Sequence, residues 1–343
     1  YKAVCTTDFI QGALIFIAFV VSSAIVISTL GGFSNASAQV QDFTEKALSG
    51  EFGKGIAGKF LGNQKFGVLS AISAFSWCLG YFGMPHIIVR FMGCRSNKEI
   101  KTARRVGIIW MIIAYIGTVL IGTLGTAYLY NKGIILGAEQ SEVLAEGITA
   151  LGNGSQEAVF SETMTRLYPS FIAGLFLCAI LAAAMSTADS QLLSASSAIG
   201  QDIFKGMIKK DATDKQVLMV SRIAVFVIAV VGLLLALNPD SSIFSLVAFA
   251  WSGFGGTFGP LILLALYWKK TTAKGAVAGL IAGGITDVVW HFLPSTLCPI
   301  FGLYEILPAF IVCLVVAVIV SLCDKEKDPE MLKEFDTYKA MKD

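Results

Sequence analysis

The segment Ala182–Gln191, AAAMSTADSQ, sets the hydroxyls of Ser186 and Thr187, the carboxylate of Asp189, the hydroxyl of Ser190 and the amide of Gln191 within a turn and a half of helix. Apolar residues frame it, FIAGLFLCAIL before and LLSASSAIG after. On a helix, Ala183, Ser186, Thr187 and Ser190 recur at i, i+3, i+4 and i+7 and share one face. Hydroxyls beside a freed backbone carbonyl suit a small hard cation, which takes oxygen ligands. The plainer alternative is that each Ser and Thr bonds back to its own i−4 carbonyl, as is common in membrane helices. A second acid, Asp8 in TTDFIQG, opens another apolar run. There it could belong to an ion path or simply cap a helix, with Thr7 as a competitor. No Cys or His is placed for transition-metal ligation. No Ser-His-Asp set or phosphate loop is evident, so nothing marks the chain as an enzyme.

These groups matter because of the medium the elements must cross. Of 343 residues, 55% are hydrophobic and 15% charged, and the mean hydropathy is +0.72. A soluble domain is charged at roughly a quarter of its positions. Apolar stretches of roughly 20 residues, enough to cross about 30 Å of hydrocarbon, recur along the chain. The fold class is therefore an all-α polytopic membrane protein, in contact with a lipid bilayer. An unpaired hydroxyl in such a span costs a few kcal/mol, and a bare carboxylate more. A net charge of +2 gives no reason to expect a nucleic-acid partner. The seven cysteines are scattered, without CxxC spacing, and read as small core residues. The chain opens YKAVCTTDFIQG, without Met or signal peptide, and reads as a piece of a longer protein.

Eight spans are predicted, at about 8–30, 66–91, 106–130, 168–198, 217–237, 242–268, 275–293 and 300–322. They make 1–322 a transmembrane domain and 323–343 a charged, partly helical tail. Cations cluster in alternate loops: Arg90, Arg95, Lys98, Lys101, Arg104 and Arg105 after span two, then Lys205–Lys215 and Lys269–Lys274. By the positive-inside rule those loops and the tail are cytoplasmic. The four lysines of 31–65 weaken the pattern there. Asn35 and Asn153 head sequons in predicted outside loops, a motif common by chance.

Two spans carry helix-breaking residues: Gly80, Gly83 and Pro85 in WCLGYFGMPHIIVRF, and WSGFGGTFGP, ending at Pro260. Breaks free backbone groups, which is tolerable only where protein or a wet cavity receives them. Trp77 and Tyr81, an aromatic pair at i, i+4, lie beside the first break. Gly275, Gly279 and Gly283, at four-residue spacing, predict close helix packing. Asp287 and His291, also i, i+4, are expected to hydrogen-bond each other, and His86 to cap freed backbone after Pro85.

Several stretches together resemble the sodium:solute symporter family. AILAAAMSTADSQLLSASSAIGQDIF is similar to its sodium-binding helix, and ALYWKKTTAKGAVAGLIAGG to a family signature. SWCLGYFGMPHIIVRFM, VAFAWSGFGGTFGP and FGLYEILPAF look most like the branch that carries proline. The resemblance implies a five-plus-five inverted-repeat (LeuT-type) fold. Span one would end the first repeat, spans two to six would form the second, and seven and eight would be peripheral, with earlier core helices absent from this chain. It implies Na⁺ as coupling ion, held by the Ala183 carbonyl and the Ser186 and Thr187 hydroxyls. Asp8, Asp189 and Ser190 would serve a second ion or its path. An acid at 189 departs from members with a hydroxyl there. Trp77 and Tyr81 would line the solute site. The implied activity is import of L-proline or a similar small solute through a plasma membrane by alternating access, and the 343-residue chain alone is expected not to transport. Alternatives are a symporter for another amino acid or a betaine, a transporter-like membrane sensor, and a structural scaffold, which would leave the breaks unexplained.

Overall fold

The computed structural model describes residues 2–49, 67–136, 149–151, 158–237, 243–294, 296–324 and 329–340. In chain order the elements are α1 (Lys2–Thr29), α2 (Phe33–Ser49), α3 (Val68–Ser76), a 3₁₀ segment (Trp77–Phe82) and α4 (Pro85–Met92). There follow α5 (Asn97–Asn131), β1 (Ile134–Leu136), β2 (Thr149–Leu151), α6 (Val159–Leu167) and α7 (Ser170–Ser197). The last are α8 (Asp214–Ala236), α9 (Ile243–Tyr267), α10 (Ala273–Phe292), α11 (Ile306–Cys323) and α12 (Pro329–Ala340). Among the described residues seven helices are long and apolar enough to cross a membrane, and α3 with α4 makes an eighth, bent span. Large apolar side chains point outward along them: Phe171 is 86% exposed, Phe226 70% and Val106 63%. Faces of that kind are stable only against lipid or another apolar surface.

The chain divides into two compact units, Tyr1–Lys65 with Cys94–Val225, and Phe66–Gly93 with Phe226–Asp343. In the first, α1 packs against α5 and α7. Ala18, Val26, Ile121, Leu124, Tyr128, Leu129, Met164, Phe176 and Ala179 form its core. Helix α5, at 35 residues, begins nine positions before the predicted span. Ser96 Oγ accepts from the Glu99 amide at 3.3 Å and so caps it, turning the second half of the basic loop into helix. Helix α7 continues past Ser197 as an i→i+5 helix to Ile208. The 31–65 segment, expected as a loop, contains α2. There Lys46 Nζ donates to Asp42 Oδ2 at 2.8 Å and Tyr130 OH at 3.1 Å, which holds its ammonium above the ordinary lysine range. The parallel pair β1–β2, three residues each, is an addition that the all-α expectation did not include. Asn35 lies in α2, and Asn153 lies outside the described residues.

In the second unit α9, α10 and α11 pack together, with the 3₁₀ segment against α9. The predicted break in span two is present: α3 tightens into the 3₁₀ segment, Gly83 and Met84 leave the helix, and α4 restarts at Pro85 with a 44° bend. The predicted break in span six is not. Helix α9 runs unbroken from Ile243 to Tyr267 with Pro260 inside it. Its glycines serve close approach instead. A methyl on Gly256 would come within 2.7 Å of Ala309 Cβ, and one on Gly259 within 2.9 Å of the Phe310 ring. The carbonyl four residues before Pro260, that of Gly256, lies against Gly283 of α10. A neighbouring glycine thus leaves room for the carbonyl that Pro260 deprives of its amide partner.

The glycine stripe of α10 packs as expected. Methyls on Gly279 and Gly283 would come within 2.7 Å of Ala317 Cβ and 2.8 Å of Cys313 Cβ. The predicted span 300–322 starts late, because Pro299–Gly302 makes a separate 3₁₀ turn before α11. The tail is helical over α12, and Lys269 Nζ holds it through both Asp336 oxygens at 2.7 Å.

Gly279→Leu is expected to lower the thermal midpoint of the detergent-solubilised protein, since overpacking of this kind costs about 1–3 kcal/mol. Gly232→Ala, at a position with open space around it, is the control that leaves the midpoint unchanged or slightly raised. Gly80 is in the same position as Gly279, because a side-chain carbon there would overlap the Trp251 indole nitrogen. Gly80→Ala should therefore lower the midpoint as well, with a change in tryptophan fluorescence as Trp251 is displaced. An unaltered melt and spectrum would contradict this packing.

Candidate cation and solute sites

The first unit joins two of the residues that the sequence left far apart. Asp8 and Ser186 are 178 positions distant, and Ser186 Oγ donates to Asp8 Oδ1 at 2.6 Å. Helix α1 already begins at Lys2, so Asp8 lies inside it and the capping role falls away. On α7, Thr187 Oγ1 donates to the Ala183 carbonyl at 3.2 Å and Ser190 Oγ to the Ser186 carbonyl at 2.9 Å. The i−4 alternative therefore holds for two of the three hydroxyls, but it does not compete with ion binding. A hydroxyl that has given its proton to a carbonyl or carboxylate still offers lone pairs. Ala183 O, Ser186 Oγ and Thr187 Oγ1 thus gather as acceptors, with Asp8 bonded to the set. Oxygens arranged in this way call for a cation or for hydrogen-bond donors.

Burial along this face is graded. Ser190 is buried, Asp8, Ser186 and Asp189 are half-buried, and Ala183 and Thr187 are exposed. Among the described residues no hydrogen bond joins Asp189 to Asp8 or Ser186, so the acid that drew attention in the sequence stands beside the set rather than in it. No group of three or more His, Cys, Asp or Glu residues suited to a metal ion occurs among the described residues. The oxygen chemistry here is that of hydroxyls, a carbonyl and one carboxylate, which suits a hard cation.

The second unit holds the aromatic pair, in a geometry that the sequence did not foresee. Trp77 and Tyr81 lie on the 3₁₀ segment, where i and i+3 eclipse and i, i+4 no longer share a face. Both instead meet Trp251 of α9, Trp77 stacked at 5.6 Å and Tyr81 edge-on at 4.9 Å. Phe244 and Tyr304 also stack on Trp77, each at 5.6 Å. Trp251 Nε1 donates to the Trp77 carbonyl at 2.9 Å, one of the backbone acceptors where the span departs from α geometry. Tyr304 donates its hydroxyl to the Ala248 carbonyl at 2.6 Å and its amide to Ser73 Oγ at 3.0 Å. An aromatic cluster beside freed backbone can take a small ring on its faces and polar ends on the main chain.

Trp251, Phe244 and Tyr304 were missed as members of this cluster, although WSGFGG and GLYE carry two of them in motifs already singled out. The signal was the need for a partner at the break. Gly80 lacks a side chain where the Trp251 indole sits. Among the described residues the expected Asp287–His291 bond does not occur: His291 Nδ1 pairs with Glu305 Oε1 at 3.1 Å, and Asp287 turns into the packed interior.

Residues 1–283 match the profile of the sodium:solute symporter family. Among curated proteins, the osmoregulated proline transporter OpuE of Bacillus subtilis (strain 168) is 38% identical over 95% of this chain and 60% of its own length. The sodium/proline symporter of Escherichia coli (strain K12) is 37% identical over 98% of this chain and 61% of its own. That of Staphylococcus aureus is 38% identical over 99% of this chain and 61% of its own. The chain thus spans about 60% of the length of these relatives. The chain belongs to the sodium:solute symporter family.

Proposed function

We propose that the full-length protein is a sodium-coupled importer of L-proline working by alternating access. The observation that carries the proposal is the acceptor set Ala183 O, Ser186 Oγ and Thr187 Oγ1 with Asp8 bonded to it, in a chain whose relatives are named sodium/proline symporters. Na⁺ is held by Ala183, Ser186 and Thr187. Asp8, Asp189 and Ser190 form a second ion position or the exit path. Trp77 and Tyr81, with Trp251 and Tyr304 behind them, take the pyrrolidine ring, and main-chain groups of the bent span receive its carboxylate and amine.

Sodium binding favours the outward-open arrangement, and rocking inward releases ion and solute together. Each charge moved down the membrane potential contributes about 2.3 kcal/mol per 100 mV. Residues 1–322 form the transporter domain in a plasma membrane, built as part of a five-plus-five inverted repeat. The lysine-rich loops and the tail 323–343 face the cytoplasm, as the cation distribution supports.

Uptake of labelled solute into vesicles bearing the full-length protein tests this. Proline uptake should require Na⁺ outside, fail with K⁺ in its place, and yield to excess unlabelled proline. Na⁺-dependent uptake of a betaine or another amino acid that proline does not compete with would move the protein to a different substrate. Thr187→Ala should raise the Na⁺ concentration for half-maximal uptake about tenfold, about 1.4 kcal/mol, while unlabelled proline competes as before. Trp77→Ala should do the reverse, weakening proline and sparing Na⁺.

A further inference from the structure

Asp287 belongs to neither set of residues above. It lies on α10 in the second unit, 2% exposed, and its Oδ1 has no hydrogen-bond partner among the described residues. Ser252 of α9, itself fully buried, lies beside it, and so does Tyr304. Both neighbours have committed their protons to the main chain, Ser252 Oγ to the Phe249 carbonyl at 2.9 Å and Tyr304 OH to the Ala248 carbonyl at 2.6 Å. If Ser252 turned its single proton toward the carboxyl group, one oxygen would still lack a donor.

The charged and titratable groups around Asp287 add no firm cation. Helices α9 and α11, which pack against α10, contain no Asp, Glu, Lys or Arg. Glu305, just before α11, brings a second carboxylate near, and His291, one turn along α10, is bonded to that Glu305 at 3.1 Å. An ionised carboxylate is acceptor-only. Here it would face further acceptors and a second acid inside an apolar span, which is costly. A carboxylic acid has a donor of its own, for which Ser252 Oγ is a nearby acceptor. The His291 side chain is 39% exposed and Glu305 14%, so this pair near Asp287 reaches the surface.

We propose that Asp287 is a proton-binding site, carried as a neutral acid between α9 and α10 and exchanging with water through the His291–Glu305 pair. The site stands apart from the sodium and proline assignments, so their failure would not touch it. Infrared spectroscopy of the purified full-length protein in lipid, in choline buffer at neutral pH, reads the protonated carboxyl stretch directly. A band is expected that shifts in deuterated water, disappears in Asp287→Asn and persists in Glu305→Gln. Heavy-carbon labelling of aspartate shifts the same band in the unaltered protein, so the assignment survives if Asp287→Asn does not fold. A wild-type spectrum without the band, or a band lost in Glu305→Gln and kept in Asp287→Asn, overturns the proposal. Loss of the band when sodium replaces choline at the same pH overturns it too, because the site would then hold a metal cation instead of a proton.

Discussion

A polar group inside hydrocarbon must find its partner within the protein, and this demand shapes every functional feature of the chain. At the bend in the second span the demand falls on backbone. An unsatisfied carbonyl there costs several kcal/mol; the 3₁₀ segment keeps i→i+3 bonding, and the Trp251 indole adds a donor at the Trp77 carbonyl at 2.9 Å. That one bond fixes much else. It places an indole where Gly80 must have no side chain. It draws Trp77 and Tyr81 onto a shared neighbour and brings α9 against the 3₁₀ segment. The aromatic surface proposed for the solute is thus a consequence of how the break is tolerated.

The same demand in the first unit falls on side chains. Ser186 satisfies its proton on Asp8, and Thr187 and Ser190 satisfy theirs on the preceding turn of α7. Each of these bonds uses a donor and leaves oxygens. The proposed sodium site is what remains when hydroxyls in an apolar helix have given their protons to a carboxylate and to carbonyls. Asp287 presents a related problem in the second unit, with a carboxyl group in place of hydroxyls. Its proposed answer is a proton because the hydroxyls beside it, those of Ser252 and Tyr304, already donate to the Phe249 and Ala248 carbonyls, and α9 and α11 carry no Lys or Arg.

Much of this was legible in the sequence, for a physical reason in each case. Membrane spans announce themselves through length and apolar content, and the α7 face through its i, i+3, i+4, i+7 spacing. The Gly275, Gly279 and Gly283 stripe was readable as packing because small residues at that spacing admit a second helix. What sequence could not supply was the identity of partners. The glycines and proline of WSGFGGTFGP look the same whether a helix breaks or another helix lies against it, and only the neighbours Ala309, Phe310 and Gly283 decide. Asp8 could be read as a cap or as part of an ion path, and the start of α1 at Lys2 removes the first. His291 chose Glu305, fourteen residues on, over the Asp287 one turn away, because Asp287 points into the core. Spacing of four along an α-helix was also the wrong ruler for Trp77 and Tyr81, which lie on a 3₁₀ segment.

The central claim is that the α7 oxygens bind sodium. Equilibrium binding of radiolabelled sodium to the purified full-length protein, wild type against Ser186→Ala and Thr187→Ala, tests it without transport intervening. The account predicts saturable sodium binding that weakens about tenfold or more in both variants, with proline binding recovered at saturating sodium. Sodium binding of unchanged affinity in both variants would contradict it.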